Sequence, residues 1–127
     1  MVYLPVAYLN RFSSTEYSTR SSAASGCAAE GGKFTEFGKA LFAKQPPENG
    51  AQLSNDELID IGVEVGLDRD SFGSCVRDGK YKPWTAHVSE EATRANVTGT
   101  PTVLVNGEQV REWTPENITA AVEAAGR

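Results

Sequence analysis

The sequence has 127 residues and a formal net charge of −5. That length fits a single domain, which can bury roughly two-thirds of the surface that its unfolded chain exposes. The negative charge argues against nucleic acid or an anionic membrane as a partner, and no apolar run approaches the roughly 18 residues that cross a bilayer. No signal peptide is visible, so the sequence taken literally predicts a cytoplasmic chain.

The chain opens with a segment of strand-like composition. Residues 2–9 are dense in β-branched, aromatic and apolar side chains, a composition that predicts a strand. Pro5 has no N–H for a sheet ladder, so we expect this strand at a sheet edge or beside a bulge. A polar connection then leads to a Ser- and Ala-rich helix over residues 15–30, which Gly31 and Gly32 end.

Four further helices are predicted before residue 97. Apolar side chains at helical spacing, with cap and stop residues, predict helices over residues 34–45, 54–66, 72–79 and 83–96. Ser54 and Glu57 have the spacing of a capping box, in which each side chain bonds to the backbone N–H of the other residue. Helices therefore dominate the middle of the chain.

The last third predicts a β-hairpin followed by a helix. A β-branched run from Thr102 to Val105 ends at Asn106-Gly107, the strongest short-range signal for a two-residue type I′ turn. The second strand is expected over residues 108–111. A Thr-Pro-Glu sequence at residues 114–116 then predicts the N-terminus of a final helix.

These residues resemble a known fold. The Gly-Thr-Pro-Thr sequence of residues 99–102, followed by the apolar run and Asn-Gly, resembles the cis-proline loop and hairpin of the thioredoxin fold, in its DsbA-like branch. The resemblance implies a cis bond before Pro101; taken alone, the sequence also fits an ordinary trans proline before an edge hairpin. It further implies an α/β, thioredoxin-like, DsbA-type fold with an inserted helical subdomain, most like the actinobacterial relatives.

The order of elements is strand, helices, β-hairpin and helix, which implies an N-terminally truncated version of that fold. We expect residues 1–127 to form a single incomplete thioredoxin-like domain. Residues 15–96 are its helical region, including the insertion, and residues 97–127 hold the cis-proline loop, hairpin and C-terminal helix.

The sequence lacks the redox motif of the family. DsbA-like enzymes carry Cys-x-x-Cys at the start of a helix, whereas the two cysteines here, Cys27 and Cys75, are 48 positions apart. Dithiol exchange needs a thiolate stabilised at a helix N-terminus and a resolving thiol nearby. Neither cysteine offers this, so we expect no thiol–disulfide exchange catalysis, and no cofactor or metal site.

The two cysteines have two interpretations. Composition alone favours inert buried thiols, because the sequence shows no export signal. The resemblance instead implies a structural Cys27–Cys75 disulfide, since relatives act outside the cytoplasm and some have a second bridge within the insertion. It likewise implies an extracytoplasmic location, either secreted or membrane-anchored.

Two functional hypotheses remain. In the first, the chain is part of a DsbA-like oxidoreductase of cysteine-containing or unfolded proteins, with Thr100 and Pro101 in the substrate-binding loop. In the second, it is a stand-alone, non-catalytic module that binds peptides or itself. In the family's sheet, the strand that this chain lacks lies centrally, between the strand matching residues 2–9 and the hairpin. Without it, those strands must close up or leave unpaired backbone groups, so we expect self-association. His87 is interpreted as a surface residue rather than a catalytic base.

Overall fold

The computed structural model describes residues 1–126. In that range the chain forms six α-helices and two β-strands, which are α1 Tyr17–Glu30, α2 Phe34–Ala43, α3 Asn55–Glu64, α4 Arg69–Asp78, α5 Lys82–Arg94, β1 Val103–Val105, β2 Glu108–Val110 and α6 Pro115–Ala125. A 3₁₀ turn covers Asn10–Phe12. The chain divides into two compact units, Met1–Arg94 and Ala95–Arg127. The expected regions, residues 15–96 and 97–127 of one incomplete domain, remain a prediction.

The first unit is built around α1. This helix contacts α2, α3, α4 and α5, and its central residues are small, which lets the neighbouring helices approach closely. The core between the helices includes the fully buried side chains of Phe37, Leu58 and Ile59. Phe37 meets Phe72 edge to face, with 5.4 Å between ring centroids. The helical part of the prediction is therefore confirmed.

Helix caps follow the sequence signals. The hydroxyl of Ser54 accepts from the Glu57 N–H at 3.1 Å, and the Glu57 carboxylate accepts from the Ser54 N–H at 3.1 Å, which completes the capping box. Gly79 ends α4 in the left-handed region, at φ +62°. These local signals set where each helix begins and ends.

Residues 2–9 differ from the strand that the sequence predicts, because they belong to no helix or strand. The N–H of Ala7 donates to the Ser89 hydroxyl at 2.9 Å, and the N–H of Leu9 to the Ser18 hydroxyl at 3.4 Å. A strand needs a paired neighbour, and here hydroxyls on α1 and α5 take the amides that a neighbouring strand would have bonded. Within the described residues, the backbone of residues 1–6 makes no hydrogen bond.

The second unit is a hairpin with a helix against it. Val103 pairs with Val110 and Val105 with Glu108, in antiparallel register. Asn106 and Gly107 have φ of +50° and +83°, the signs that a type I′ turn requires. The Thr114 hydroxyl caps α6 by accepting from the Asn117 N–H, and α6 contacts both strands. The predicted hairpin and final helix are confirmed.

Candidate functional site

The loop before β1 holds Thr100 and Pro101, the residues that the sequence analysis assigns to substrate binding. Both are exposed, and the peptide bond between them is cis. The Thr102 hydroxyl donates to the Gly99 carbonyl at 2.6 Å, which closes the loop. Within the described residues, the backbone N–H and C=O of Thr100 have no hydrogen-bond partner. These two groups are therefore available to a polar ligand.

The structure joins the two predicted cysteines. Cys27 and Cys75 form a disulfide with an S–S distance of 2.11 Å, linking the last turn of α1 to the last turn of α4. Cys27 belongs to the buried core and is 4% exposed, whereas Cys75 is only partly buried and packs at the edge of that core. The disulfide interpretation is the one the structure supports, and the described chain has no free cysteine.

A crevice of about 290 Å³ opens beside the disulfide. It lies between the end of α1, the turn at residues 66–68 and the start of α4. Two carboxylates border it, those of Glu30 and Asp68. Hydrogen bonds from the Ser71 N–H and hydroxyl hold the pKa of Asp68 below its usual value. The crevice therefore brings solvent close to the disulfide.

Glu30 also belongs to a second feature of the first unit. The Tyr81 hydroxyl donates to its carboxylate at 2.7 Å, and Lys80 donates to both carboxylate oxygens at 2.9 and 3.0 Å. The Tyr81 bond, and then the Lys80 bond, lower the pKa of Glu30. Beside this group lies an open cleft of about 620 Å³, which we call the aromatic cleft; its rings are those of Tyr3, Phe34, Tyr81 and Trp84.

The remaining candidates have structural partners or lie on the surface. His87 is exposed on α5. Asp56 pairs with Arg77 at 2.7 Å, and Asp60 with Arg69 at 3.0 Å. Over residues 1–126, no three His, Cys, Asp or Glu side chains are grouped so that they could hold a metal ion. Over the same residues, no helix has the length and apolar content of a membrane span.

The contacts of Arg20 were not predicted from the sequence. Its guanidinium donates to the Thr15 carbonyl and hydroxyl, to the Leu53 carbonyl and to the Asn55 side chain, at 2.6 to 3.0 Å. These bonds tie the start of α1 to the start of α3. The acceptors lie up to 35 positions away, so no local pattern could have predicted them.

Comparison with known proteins agrees with the fold. A family model described as thioredoxin matches residues 7–124. Oxidised DsbA from Mycobacterium tuberculosis has a similar structure, with a TM-score of 0.80 and 36% sequence identity over 98% of this chain. The chain belongs to the DsbA-like thioredoxin family. The thioredoxin-like, DsbA-type α/β fold predicted from the sequence is thus confirmed.

The proteins that this DsbA-like chain resembles are longer. It covers 65% of the chain in the oxidised M. tuberculosis DsbA structure and 69% of the chain in the reduced one. A putative protein-disulfide oxidoreductase from Rickettsia bellii is 25% identical over 122 residues, and the match spans 47% of that protein. The Na(+)/H(+) antiporter NhaA 1 from Mycobacterium sp. (strain KMS) is 31% identical over 105 residues, which is 16% of its length. The chain therefore spans about half of the curated oxidoreductase and a small part of the antiporter.

Proposed function

We propose that this chain is one part of a DsbA-like protein thiol–disulfide oxidoreductase and is inactive by itself. One observation carries the proposal. This chain matches DsbA over 98% of its own length, and its two cysteines are bound to each other. No thiol is left to attack a substrate disulfide. A further segment with a Cys-x-x-Cys pair supplies the redox chemistry, and this chain supplies the surface that receives the substrate.

Thr100 and Pro101 are the residues that we propose contact the substrate. Thr100 offers a backbone N–H and C=O that no described residue bonds, next to a proline that presents no N–H of its own. An extended polypeptide can pair with these groups as with the edge of a sheet. The proposed substrates are cysteine-containing or unfolded proteins. The proposed location is extracytoplasmic, where a disulfide such as Cys27–Cys75 persists.

An insulin reduction assay with dithiothreitol as reductant tests the inactivity. We expect the rate of insulin reduction with this chain to equal the rate with dithiothreitol alone. M. tuberculosis DsbA, assayed under the same conditions, is the reference enzyme. An acceleration that disappears in the Cys75→Ser variant would contradict the proposal, because the chain's own disulfide would then be catalytic.

The binding role of the loop has a separate test. We expect a cysteine-containing peptide, titrated into the ¹⁵N-labelled chain, to shift the amide resonance of Thr100. The amide of Gly107, at the opposite end of β1, serves as the internal control and should stay in place. Shifts confined to the first unit would assign substrate binding to another surface.

A second candidate, a self-associating or peptide-binding module, is favoured by the N-terminal segment. Met1, Val2 and Leu4 are 94%, 83% and 64% exposed, and the backbone of residues 1–6 makes no hydrogen bond within the described residues. An apolar segment with free backbone groups is a template for another strand. The aromatic cleft begins at Met1 and adds apolar surface to this segment.

Light scattering coupled to gel filtration tests self-association. We expect a mass at least twice that of the monomer, and a shift toward the monomer in the double variant Val2→Lys, Leu4→Lys. Val122→Lys, on the exposed face of α6, is the matched control and should leave the mass unchanged. A wild-type chain that elutes as a stable monomer argues against this module.

A further inference from the structure

The Cys27–Cys75 disulfide is asymmetric in its access to solvent. Both residues border the crevice beside α4, but Cys27 lies within the buried core and Cys75 at its edge. Cys27 is 4% exposed and belongs to the same buried cluster as Ala24, Ala28 and Phe37. The two sulfurs of this bond therefore face different surroundings.

Access matters because of how a disulfide reacts. An attacking thiolate approaches one sulfur in line with the S–S bond, from the side opposite the sulfur that leaves. Attack on Cys27 is sterically hindered, because this residue is 4% exposed and belongs to the packed core, which has little space for a second molecule. Attack on Cys75 requires an approach from the partly exposed edge of the core, where the crevice opens.

Leaving-group stability gives the opposite preference. Attack on Cys75 expels Cys27 as a thiolate, and burial in the core disfavours that anion. The carbonyls at the end of a helix disfavour either thiolate, since Cys27 lies in the last turn of α1 and Cys75 in the last turn of α4. Expulsion of the partly exposed Cys75 would be easier. The poorer leaving group slows exchange at Cys75, but Cys27 stays buried and hard to reach. Steric access therefore decides which sulfur reacts.

We propose that Cys75 is a site of reversible thiolation by small thiols, and that the buried Cys27 acts as the leaving and resolving thiol. The thiolate of the small molecule forms a new S–S bond with Cys75, the Cys27–Cys75 bond breaks, and Cys27 leaves as a thiolate that takes a proton from water. In the reverse step, the Cys27 thiolate attacks Cys75 and expels the small thiol. No other oxidant or reductant is needed.

Peptide mapping of the folded chain tests this assignment. Trypsin places the cysteines on different peptides, residues 21–33 for Cys27 and residues 70–77 for Cys75. The folded chain is incubated with reduced glutathione and quenched with acid, which protonates the freed thiol and prevents reclosure. It is then alkylated with N-ethylmaleimide in mildly acidic denaturant, which exposes the buried Cys27 thiol to the reagent. We expect glutathione on residues 70–77 and maleimide on residues 21–33, at least about tenfold over the reverse pattern.

Two results would overturn the proposal. One is glutathione on residues 21–33 to a similar or greater extent, and the other is no mixed disulfide unless denaturant is added. Single-cysteine variants provide an independent measurement: with dithiobis(nitrobenzoate), the thiol left in Cys27→Ser should react at least about tenfold faster than the thiol left in Cys75→Ser. Circular dichroism confirms beforehand that both variants are folded, and equal rates in folded variants contradict the assignment.

Discussion

In the helical unit, the side chain of Thr85 is buried but its hydroxyl lacks a hydrogen bond to any described residue. Thr85 is 1% exposed, and its hydroxyl is the one buried side-chain oxygen or nitrogen without a hydrogen-bond partner among the described residues. A buried polar group without a partner loses its hydration and gains nothing in return. The hydroxyl of Thr85 therefore costs stability, while its methyl group fills space.

Replacing Thr85 by valine tests this residue. We expect Thr85→Val to leave the free energy of unfolding unchanged or to raise it by about 1 kcal/mol, because the shape is kept and the unpaired hydroxyl is removed. Thr85→Ala, the control, should lower it by about 1 kcal/mol, since it leaves a cavity. Urea unfolding measures both. A loss of stability in Thr85→Val equal to that of Thr85→Ala would show that the hydroxyl has a partner.

At the scale of secondary-structure elements, features that depend on neighbouring residues could be predicted from the sequence. Features that depend on distant residues could not. The Asn106-Gly107 turn and the Ser54 cap depend on neighbours within four positions, and both are confirmed. The strand predicted over residues 2–9 needed a partner strand, which composition alone cannot supply. The bond between Glu30 and Tyr81 links residues 51 positions apart and leaves no pattern in the sequence. The Cys27–Cys75 pairing followed from the family resemblance rather than from spacing.

The conformation of the hairpin turn can be tested by a substitution at Gly107. Gly107 has φ +83°, where an L side chain is strained, whereas Gly99 lies outside that region of φ and has open space where a Cβ would lie. We expect Gly107→Ala to lower the opening free energy of the hairpin amides by about 1 kcal/mol. Amide hydrogen exchange measures this energy. Gly99→Ala is the control, and an equal effect of both changes would refute the turn assignment.

At the scale of the whole molecule, the disulfide is the longest-range covalent constraint. It closes a loop over a sequence separation of 48 and connects α1 to α4 in the first unit. A cross-link of this length restricts the unfolded chain far more than the folded one. The bond therefore stabilises the helical unit whether or not the chain takes part in redox chemistry.

Removal of the disulfide should lower the free energy of unfolding by about 4 kcal/mol in the chain-entropy model. Urea unfolding of the oxidised and the fully reduced chain measures the difference. The double variant Cys27→Ala, Cys75→Ala is the control for the thiols themselves, and it should be destabilised at least as much as the reduced chain. A change below about 1 kcal/mol would show that the bond adds little to the fold.

The central claim is that this DsbA-like chain works as part of a longer oxidoreductase. The most direct test is the intact mass of the native polypeptide in its source cells, measured with and without thiol alkylation after reduction. We predict a mass above the 13.6 kDa of this chain by a strand–helix unit on the order of 30 residues or more, with an additional alkylatable cysteine pair. A native mass of 13.6 kDa with only Cys27 and Cys75 alkylated would contradict the claim.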